Sequence, residues 1–184
     1  MTYAVRDRVE RFRGGIFTVV TDQVEMPDGG VAARDYVRHP GAVGVVPLDD
    51  DGRVLLVKQY RPALGRAIWE LPAGLVDVEG EPAEETARRE LAEEADLRTG
   101  RLDPLIELHT SPGSSNELIR IFLARDLSPV ADGERHERHA EEATLTVSWF
   151  DLDEAVAMAL RGEVTNAAAV AGLLAAARVR DTTA

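Results

Sequence analysis

The order of strand-like and helical segments along the chain is the feature that most constrains its fold. Strand-like segments come first, one helical segment follows, more strands come next, and helices end the chain. A repeating βαβ winding would instead alternate the two kinds of element. The order therefore predicts an α/β fold in which helices cover a mixed sheet. The predicted strands are residues 16–24, 33–38, 42–48, 53–60, 102–108, 117–124 and 144–150, and the predicted helices are residues 81–95, 151–161 and 165–180.

Turn sequences divide the first part of the chain. Residues 49–52 (DDDG) separate two segments that are nearly continuous in valine and leucine. The Asp-Gly corner predicts that these two segments form a β-hairpin, and their composition predicts burial on both faces. A further boundary near residues 39–41 (HPG) predicts an N-terminal β-strand extension over residues 1–40, followed by the main domain over residues 41–184.

Composition and charge exclude several classes of function. The chain has 33 acidic and 21 basic residues and a net charge of −12, whereas binding to nucleic acids depends on clustered lysine and arginine. It has no cysteine, which excludes disulfides, thiolate zinc sites and cysteine nucleophiles. No apolar run approaches the roughly 20 residues that cross a bilayer, and the charged N-terminus lacks the apolar centre of a secretory signal. We therefore expect a cytoplasmic protein with neither membrane nor nucleic acid as a partner.

Residues 81–95 have the periodicity of an amphipathic helix. Ala87, Leu91 and Ala95 recur every four residues and form an apolar stripe that can pack on a sheet. Pro82 fits the first helical turn, where its missing N–H costs little.

Three glutamates crowd one side of this helix. Glu90, Glu93 and Glu94 fall within an arc of roughly 100°, and like charges at such spacings cost about 0.2–0.5 kcal/mol per pair. Solvation of an exposed acidic face can offset this repulsion. A bound Mg²⁺ can offset it as well, because Mg²⁺ takes carboxylate oxygens as ligands. The helix alone leaves both explanations open, and a solvated face is the more common one.

The residues around the helix resemble the Nudix box. That pattern is Gly, five residues, Glu, seven residues, Arg-Glu, an aliphatic residue, any residue, Glu-Glu, any residue, Gly and an aliphatic residue. Here seven residues separate Glu81 from the sequence RELAEEADL at 89–97. Two positions depart from the pattern: six residues separate Gly74 from Glu81, and Asp96 replaces the second glycine. Aspartate tolerates the left-handed backbone conformation, so Asp96 is still expected to end the helix.

The resemblance implies a fold, a cofactor and a set of ligands. The fold is the Nudix α/β/α sandwich, with the box forming a loop–helix–loop. The cofactor is Mg²⁺, for which Mn²⁺ can substitute. Glu90 and Glu94 are the principal metal ligands, Glu93 is an additional or alternative one, and the carbonyl of Ala73 completes the set. Arg89 orients the glutamates, and Glu81 pairs with Arg89.

Sequences outside the box resemble the ADP-ribose pyrophosphatase branch. These are QYRP at residues 59–62, ELPAG at 70–74, and a proline at position 112, sixteen residues beyond Asp96. The resemblance implies hydrolysis of the diphosphate bond of ADP-ribose to AMP and ribose 5-phosphate. The candidate substrate-binding residues are Arg61, Glu70, Pro112, Gly113 and Glu117. Each has a structural alternative: a surface charge for Arg61, loop support for Glu70, a turn for Pro112 and Gly113, and a strand-edge charge for Glu117.

The catalytic base is expected in the charged segment 133–142. Its glutamates include Glu137, Glu141 and Glu142; we favour Glu142, with Glu141 second. Arg89 and Glu93 complete the predicted catalytic set. An ordinary surface insertion has the same composition as this segment.

The resemblance also implies a homodimer in which the N-terminal strands exchange between subunits. Three other functions remain open. The enzyme could hydrolyse another nucleoside diphosphate derivative, such as a nucleotide sugar, a dinucleoside polyphosphate or NADH. The chain could also be a non-catalytic nucleotide-binding module or an acidic protein with a solvated helix, although the three intact glutamates argue against a degenerate module. We further expect Trp69 and Trp149 to lie in the core.

Overall fold

The computed structural model describes residues 3–138 and 144–183. The chain divides into two compact units. The first unit comprises Met1–Gly41 and His109–Leu118, and the second comprises Ala42–Leu108 and Ile119–Ala184. None of the helices in the described residues is long and apolar enough to cross a bilayer.

The first unit contains an antiparallel sheet in the strand order β1-β2-β3. Its strands are β1 (Val5–Arg13), β2 (Thr18–Glu25) and β3 (Val31–Arg38). Strand β1 was not predicted, because every one of its residues is exposed and its sequence is highly charged. Polar contacts attach it to β2: the Arg8 guanidinium donates to both carboxylate oxygens of the buried Asp22, at 2.6 and 2.7 Å. Long-range ion pairs of this kind leave no periodic pattern in a sequence.

The second unit contains most of two further sheets and the α-helices. Its elements are β4 (Ala42–Pro47), β5 (Arg53–Arg61), β6 (Arg66–Glu70), β7 (Ala73–Leu75), α1 (Ala83–Ala95), β8 (Leu97–His109), β9 (Leu118–Pro129), β10 (Thr146–Asp151), α2 (Leu152–Leu160) and α3 (Ala167–Thr183). One sheet has the order β10-β5-β6, and the other has the order β7-β4-β9-β8. Strand β4 runs antiparallel to β7 and parallel to β9. The prediction of a mixed sheet is therefore confirmed.

The predicted hairpin between residues 42–48 and 53–60 is wrong. The turn forms, and the Asp49 N–H donates to the Arg53 carbonyl at 2.9 Å. After a single bridge between Leu48 and Val54, however, the two strands enter different sheets. The Asp-Gly corner fixes the local turn, whereas strand pairing depends on partners far along the chain. Strand β4 pairs with β7 and β9 instead, and β5 pairs with β6 and β10.

Strands β4 and β5 are buried on both faces, as their composition predicts. Val43 and Val45 pack in a core cluster with α1, whereas Val46 packs in a second cluster with α2 and α3. On β5, Leu55 and Leu56 divide between the same two clusters. Since neighbouring strand residues point to opposite faces, α1 covers one side of the strands and α2 and α3 cover the other. This is the predicted α/β/α arrangement.

The two tryptophans differ in their environment. Trp69 packs against one core cluster, and its ring meets that of Phe150 edge-on at 5.1 Å. Trp149 is 38% exposed, and the Arg53 guanidinium lies 5.8 Å from its ring centroid. The prediction that Trp149 is a core residue is wrong because β10 is an edge strand, and Phe150, not Trp149, faces the core.

Candidate functional site

Helix α1 carries the candidate site. It begins at Ala83, because Pro82 is the N-cap residue with extended backbone angles (φ −63°, ψ 144°). The apolar stripe anchors it as predicted: Ala87 and Leu91 are fully buried and Ala95 is 7% exposed. This packing fixes the rotation of the helix about its axis, and with it the direction of the glutamate side.

Gly74 on β7 makes room for the carboxylate of Glu90. A Cβ atom built on Gly74 would lie 2.1 Å from both the Cδ and the Oε1 of Glu90. No side chain larger than a hydrogen fits there while Glu90 keeps this position. The glycine that opens the Nudix-like sequence is therefore explained by close packing between strand and helix.

Glu94 contacts the residue that precedes this glycine. Glu94 is 7% exposed, and its Oε2 accepts a hydrogen bond from the Ala73 N–H at 2.9 Å. Helix α1 thus presents two carboxylates, those of Glu90 and Glu94, to two successive residues of β7. The structure thus brings Ala73, Gly74, Glu90 and Glu94 together.

Arg89 donates hydrogen bonds to three glutamates. Its Nη1 donates to Glu90 at 2.6 Å and to Glu93 at 3.3 Å, and its Nη2 donates to Glu81 at 3.3 Å. Burial lowers the pKa of Arg89, but the hydrogen bond to Glu81 and the charges of Glu90 and Glu93 outweigh this, so the pKa lies above its ordinary value. A hydrogen bond from the Thr86 hydroxyl, followed by that from Arg89, lowers the pKa of Glu81. The Glu81–Arg89 ion pair is therefore charged at neutral pH.

The donor set suits a hard divalent cation. The carboxylates of Glu90, Glu93 and Glu94 and the backbone of Ala73 offer oxygen ligands, which Mg²⁺ prefers. Among the described residues, no three acidic or histidine side chains already enclose a position for a metal ion. The Arg89 charge offsets the repulsion between Glu90 and Glu93, and the Ala73 N–H donates a hydrogen bond to the Glu94 carboxylate. The residues therefore fit the metal by the chemistry of their donor atoms and by their proximity.

The end of α1 shows one feature that the sequence did not predict. Asp96 has left-handed angles (φ 53°, ψ 33°) and its N–H donates to the Leu91 carbonyl, which confirms it as the helix terminator. Arg138 then donates to the carbonyls of Glu93 and Glu94, each at 3.0 Å, and to the Asp96 carboxylate at 2.8 Å. The replacement of glycine by Asp96 was the available signal for this contact, but its partner lies 42 residues away.

Arg61 and Glu70 form an ion pair. Arg61 donates through Nε to Oε1 at 2.9 Å and through Nη2 to Oε2 at 2.5 Å. The Glu70 side chain is 4% exposed and that of Arg61 is 43% exposed. These two residues line a cavity of about 560 Å³ together with Arg66 and Asn166. Arg61 is therefore oriented by Glu70, and it lies at the wall of the cavity.

The other three candidate substrate residues lie in the first unit. Pro112 and Gly113 belong to a turn in which the N–H groups of residues 114 and 115 donate to the Ser111 carbonyl, each at 2.9 Å. Glu117 accepts a hydrogen bond from the Thr110 hydroxyl. Pro112 and Gly113 also line a cavity of about 530 Å³ with Tyr36. Pro112 and Gly113 thus form a turn, which was the structural alternative to a substrate-binding role, and this turn borders the cavity.

The two candidate bases, Glu141 and Glu142, lie outside the described residues. Glu137, the third glutamate considered, is described and exposed.

Comparison with known proteins identifies the family. The sequence pattern of the NUDIX domain matches residues 38–171, which is well over half of the chain. The chain belongs to the NUDIX domain family. This match confirms the prediction that the chain is a Nudix hydrolase.

Two named relatives and one solved structure are similar to this chain. An ADP-ribose pyrophosphatase of Mycobacterium tuberculosis is 48% identical over 162 residues, which cover 88% of this chain and 77% of that protein. An ADP-ribose pyrophosphatase of Bacillus subtilis is 36% identical over 156 residues, which cover 85% and 82%. The crystal structure of an ADP compounds hydrolase matches with a TM-score of 0.81 at 23% identity, covering 100% of this chain and 96% of that one. The structural match confirms the predicted Nudix fold.

Proposed function

We propose that this chain hydrolyses the diphosphate bond of ADP-ribose to AMP and ribose 5-phosphate, with Mg²⁺ as cofactor and Mn²⁺ as a substitute. The observation that carries the proposal is the pairing of Glu90 and Glu94 with Gly74 and Ala73 on the neighbouring strand. The two relatives named ADP-ribose pyrophosphatase support the choice of substrate, because each match covers more than four fifths of this chain.

Some residues of the site would bind the metal, and others would position the metal ligands. Glu90 and Glu94, with Glu93 and the Ala73 carbonyl, would hold the metal. A divalent metal in such a site neutralises diphosphate charge and lowers the pKa of a bound water. Arg89 restrains the glutamates and is itself fixed by Glu81. Because Arg89 keeps its charge, it limits repulsion among the carboxylates when the metal is absent.

The general base in this proposal is Glu142, with Glu141 second. A glutamate in this role accepts the proton of the attacking water. Both lie in the sequence between β9 and β10, and Arg138 of the same segment contacts the end of α1.

Substrate contacts are proposed for both units. In the second unit, Glu70 presents the Arg61 guanidinium at a cavity wall, and arginine suits phosphate oxygens. In the first unit, Pro112 and Gly113 border a cavity that Tyr36 and Arg34 also line. Glu117 is held beside that turn by its hydrogen bond with Thr110.

Product analysis tests the activity. Purified protein is incubated with ADP-ribose and Mg²⁺, and the products are separated by chromatography; AMP and ribose 5-phosphate are expected in equal amounts. Glu94→Gln should lower turnover by at least about 100-fold, whereas Glu85→Gln should not, because Glu85 is an exposed residue of the first turn. A nucleotide sugar, a dinucleoside polyphosphate and NADH complete the panel. Equal or faster turnover of any of these would contradict the choice of ADP-ribose.

We also propose that the protein is a homodimer joined through the N-terminal extension, residues 1–40, with residues 41–184 as the catalytic domain. The first unit exposes large apolar side chains on and beside an edge strand, among them Val5, Phe12, Ile16 and Phe17. Exposed apolar patches and long unpaired edges favour association. Light scattering after gel filtration should give twice the mass of the 20.0 kDa chain, and Phe12→Asp should shift it towards the monomer. A monomeric unmodified protein would contradict the proposal.

A further inference from the structure

Arg138 forms a three-point contact with the end of the glutamate helix. Its Nε donates to the Glu93 carbonyl and its Nη2 donates to both the Glu94 carbonyl and the Asp96 carboxylate. The side chains of Arg138 and Asp96 are 21% and 26% exposed, so the contact is largely shielded from solvent. Arg138 therefore binds the backbone of two of the three glutamates proposed as metal ligands.

The helix needs such a partner at this end. The last carbonyls of an α-helix have no partner within the helix and carry the negative end of its dipole. Helix α1 has no basic residue in its own last turn, and Glu93 and Glu94 add negative charge there. A guanidinium presents several donors in a rigid plane, so one arginine can bind two carbonyls and a carboxylate together.

Asp96 orients the Arg138 side chain in this contact. The Nudix pattern has glycine at this position, and glycine adopts left-handed angles without the steric cost that aspartate meets. The Asp96 carboxylate pairs with Arg138 at 2.8 Å, a contact that glycine cannot supply. The departure from the family pattern thus provides the acid that fixes the orientation of Arg138.

We propose that Arg138, oriented by Asp96, is a positioning residue for the metal ligands Glu93 and Glu94. The inference rests on the proposed metal site, and it assigns to residue 138 a role that acts through the helix backbone. Residues that orient metal ligands commonly change metal affinity or activity by about 10–100-fold when they are replaced. The guanidinium plane, and not the positive charge alone, is what the arrangement requires.

The sign of the effect separates positioning from simple electrostatics. A cation near carboxylates repels a divalent metal, so its removal would strengthen metal binding if charge were its only contribution. If Arg138 positions the ligands, its removal weakens binding instead. Lysine keeps the charge but loses the planar set of donors, so Arg138→Lys should behave like wild type in the first case and like Arg138→Ala in the second.

The experiment is a Mn²⁺ titration of the full chain without substrate, followed by electron paramagnetic resonance of free Mn²⁺. We expect Arg138→Ala and Arg138→Lys to bind Mn²⁺ about tenfold more weakly than wild type, and Asp96→Gly about threefold more weakly. Arg135→Ala is the matched control, because it removes a nearby exposed arginine that pairs with Asp132, and it should bind as wild type does. Circular dichroism shows whether each variant is folded. If Arg138→Ala does not fold, the comparison of Arg138→Lys with wild type tests the inference.

Binding by both Arg138 variants that is as tight as wild type, or tighter, would overturn the inference. Unchanged binding by Asp96→Gly would overturn the role given to Asp96. If wild type binds Mn²⁺ and hydrolyses ADP-ribose while the Arg138 variants bind normally, this inference fails alone. If wild type does not bind Mn²⁺, the proposed function fails and the inference fails with it.

Discussion

Gly74→Ala tests the contact between β7 and the glutamate helix. The new Cβ would lie 2.1 Å from the Cδ and Oε1 of Glu90 and 2.6 Å from its Cγ. Ordinary contact between such atoms needs about 3.5 Å, so the Glu90 carboxyl group must move by about 1.4 Å. The Gly74 backbone is not in the left-handed region, which means that alanine adds a steric contact without backbone strain.

The substitution should affect activity far more than stability. Glu90 ends in rotatable bonds, and a side-chain torsion angle displaced by about 30° from its rotamer costs about 0.5–1.5 kcal/mol. Such a loss lowers the melting temperature of a chain of this size by only a few degrees. A displacement of about 1 Å at a reacting centre, in contrast, can cost about 100-fold in rate. We therefore expect kcat for ADP-ribose to fall by about 100-fold in a protein that remains folded.

Steady-state kinetics with saturating Mg²⁺, together with thermal unfolding, measures both quantities. Gly44→Ala is the matched control: it lies on β4 opposite Ala73, and its new Cβ would meet Leu71 and Ile121 at ordinary distances of 3.6 and 3.7 Å. Glu90→Gln should reproduce the loss of activity without the steric change. A Gly74→Ala enzyme that is folded and retains more than half of the wild-type kcat would refute the reasoning.

Three further predictions concern the base, an ion pair and pH. Glu142→Gln should slow turnover and leave Mn²⁺ binding unchanged; an active Glu142→Gln variant beside an inactive Glu141→Gln variant would reverse our choice of base. Arg61→Ala should lower the free energy of unfolding, measured in urea, by about 2 kcal/mol. This is less than for a fully buried pair, because Arg61 is 43% exposed. Adding Glu70→Gln should restore part of the lost stability, and an unchanged stability of Arg61→Ala would contradict a structural role for the ion pair. Hydrogen bonds from Arg8 hold the pKa of Asp22 below its ordinary value of 3.8, so its contribution to stability is present above that pH and is lost as the pH falls through the lowered value. The difference in unfolding free energy between wild type and Asp22→Asn should therefore be constant from pH 5 to 7 and shrink below about pH 4, and a difference independent of pH would contradict the assignment.

The parts of the site that lie close together in sequence were predictable. The stripe of Ala87, Leu91 and Ala95 fixed the buried side of α1, and the spacing of Glu90 and Glu94 then placed both carboxylates on one side. These features depend on helical geometry alone, which a sequence records directly.

The parts that depend on distant partners were not predictable. The contact of Arg138 with Asp96 joins residues 42 positions apart, and neither residue reveals the other in the sequence. Strand β1 is exposed throughout, so it has no buried side from which a period could be read. The three-residue strand β7 is too short for any pattern, and its position is visible only through its pairing with β4.

Anomalous diffraction from crystals grown with Mn²⁺ and a non-hydrolysable ADP-ribose analogue tests the central claim most directly. We expect a Mn²⁺ peak about 2.0–2.3 Å from carboxylate oxygens of Glu90 and Glu94 and from the Ala73 carbonyl oxygen, with the diphosphate of the analogue completing the coordination. A bound analogue with no Mn²⁺ at these residues, or with Mn²⁺ held elsewhere, would contradict it.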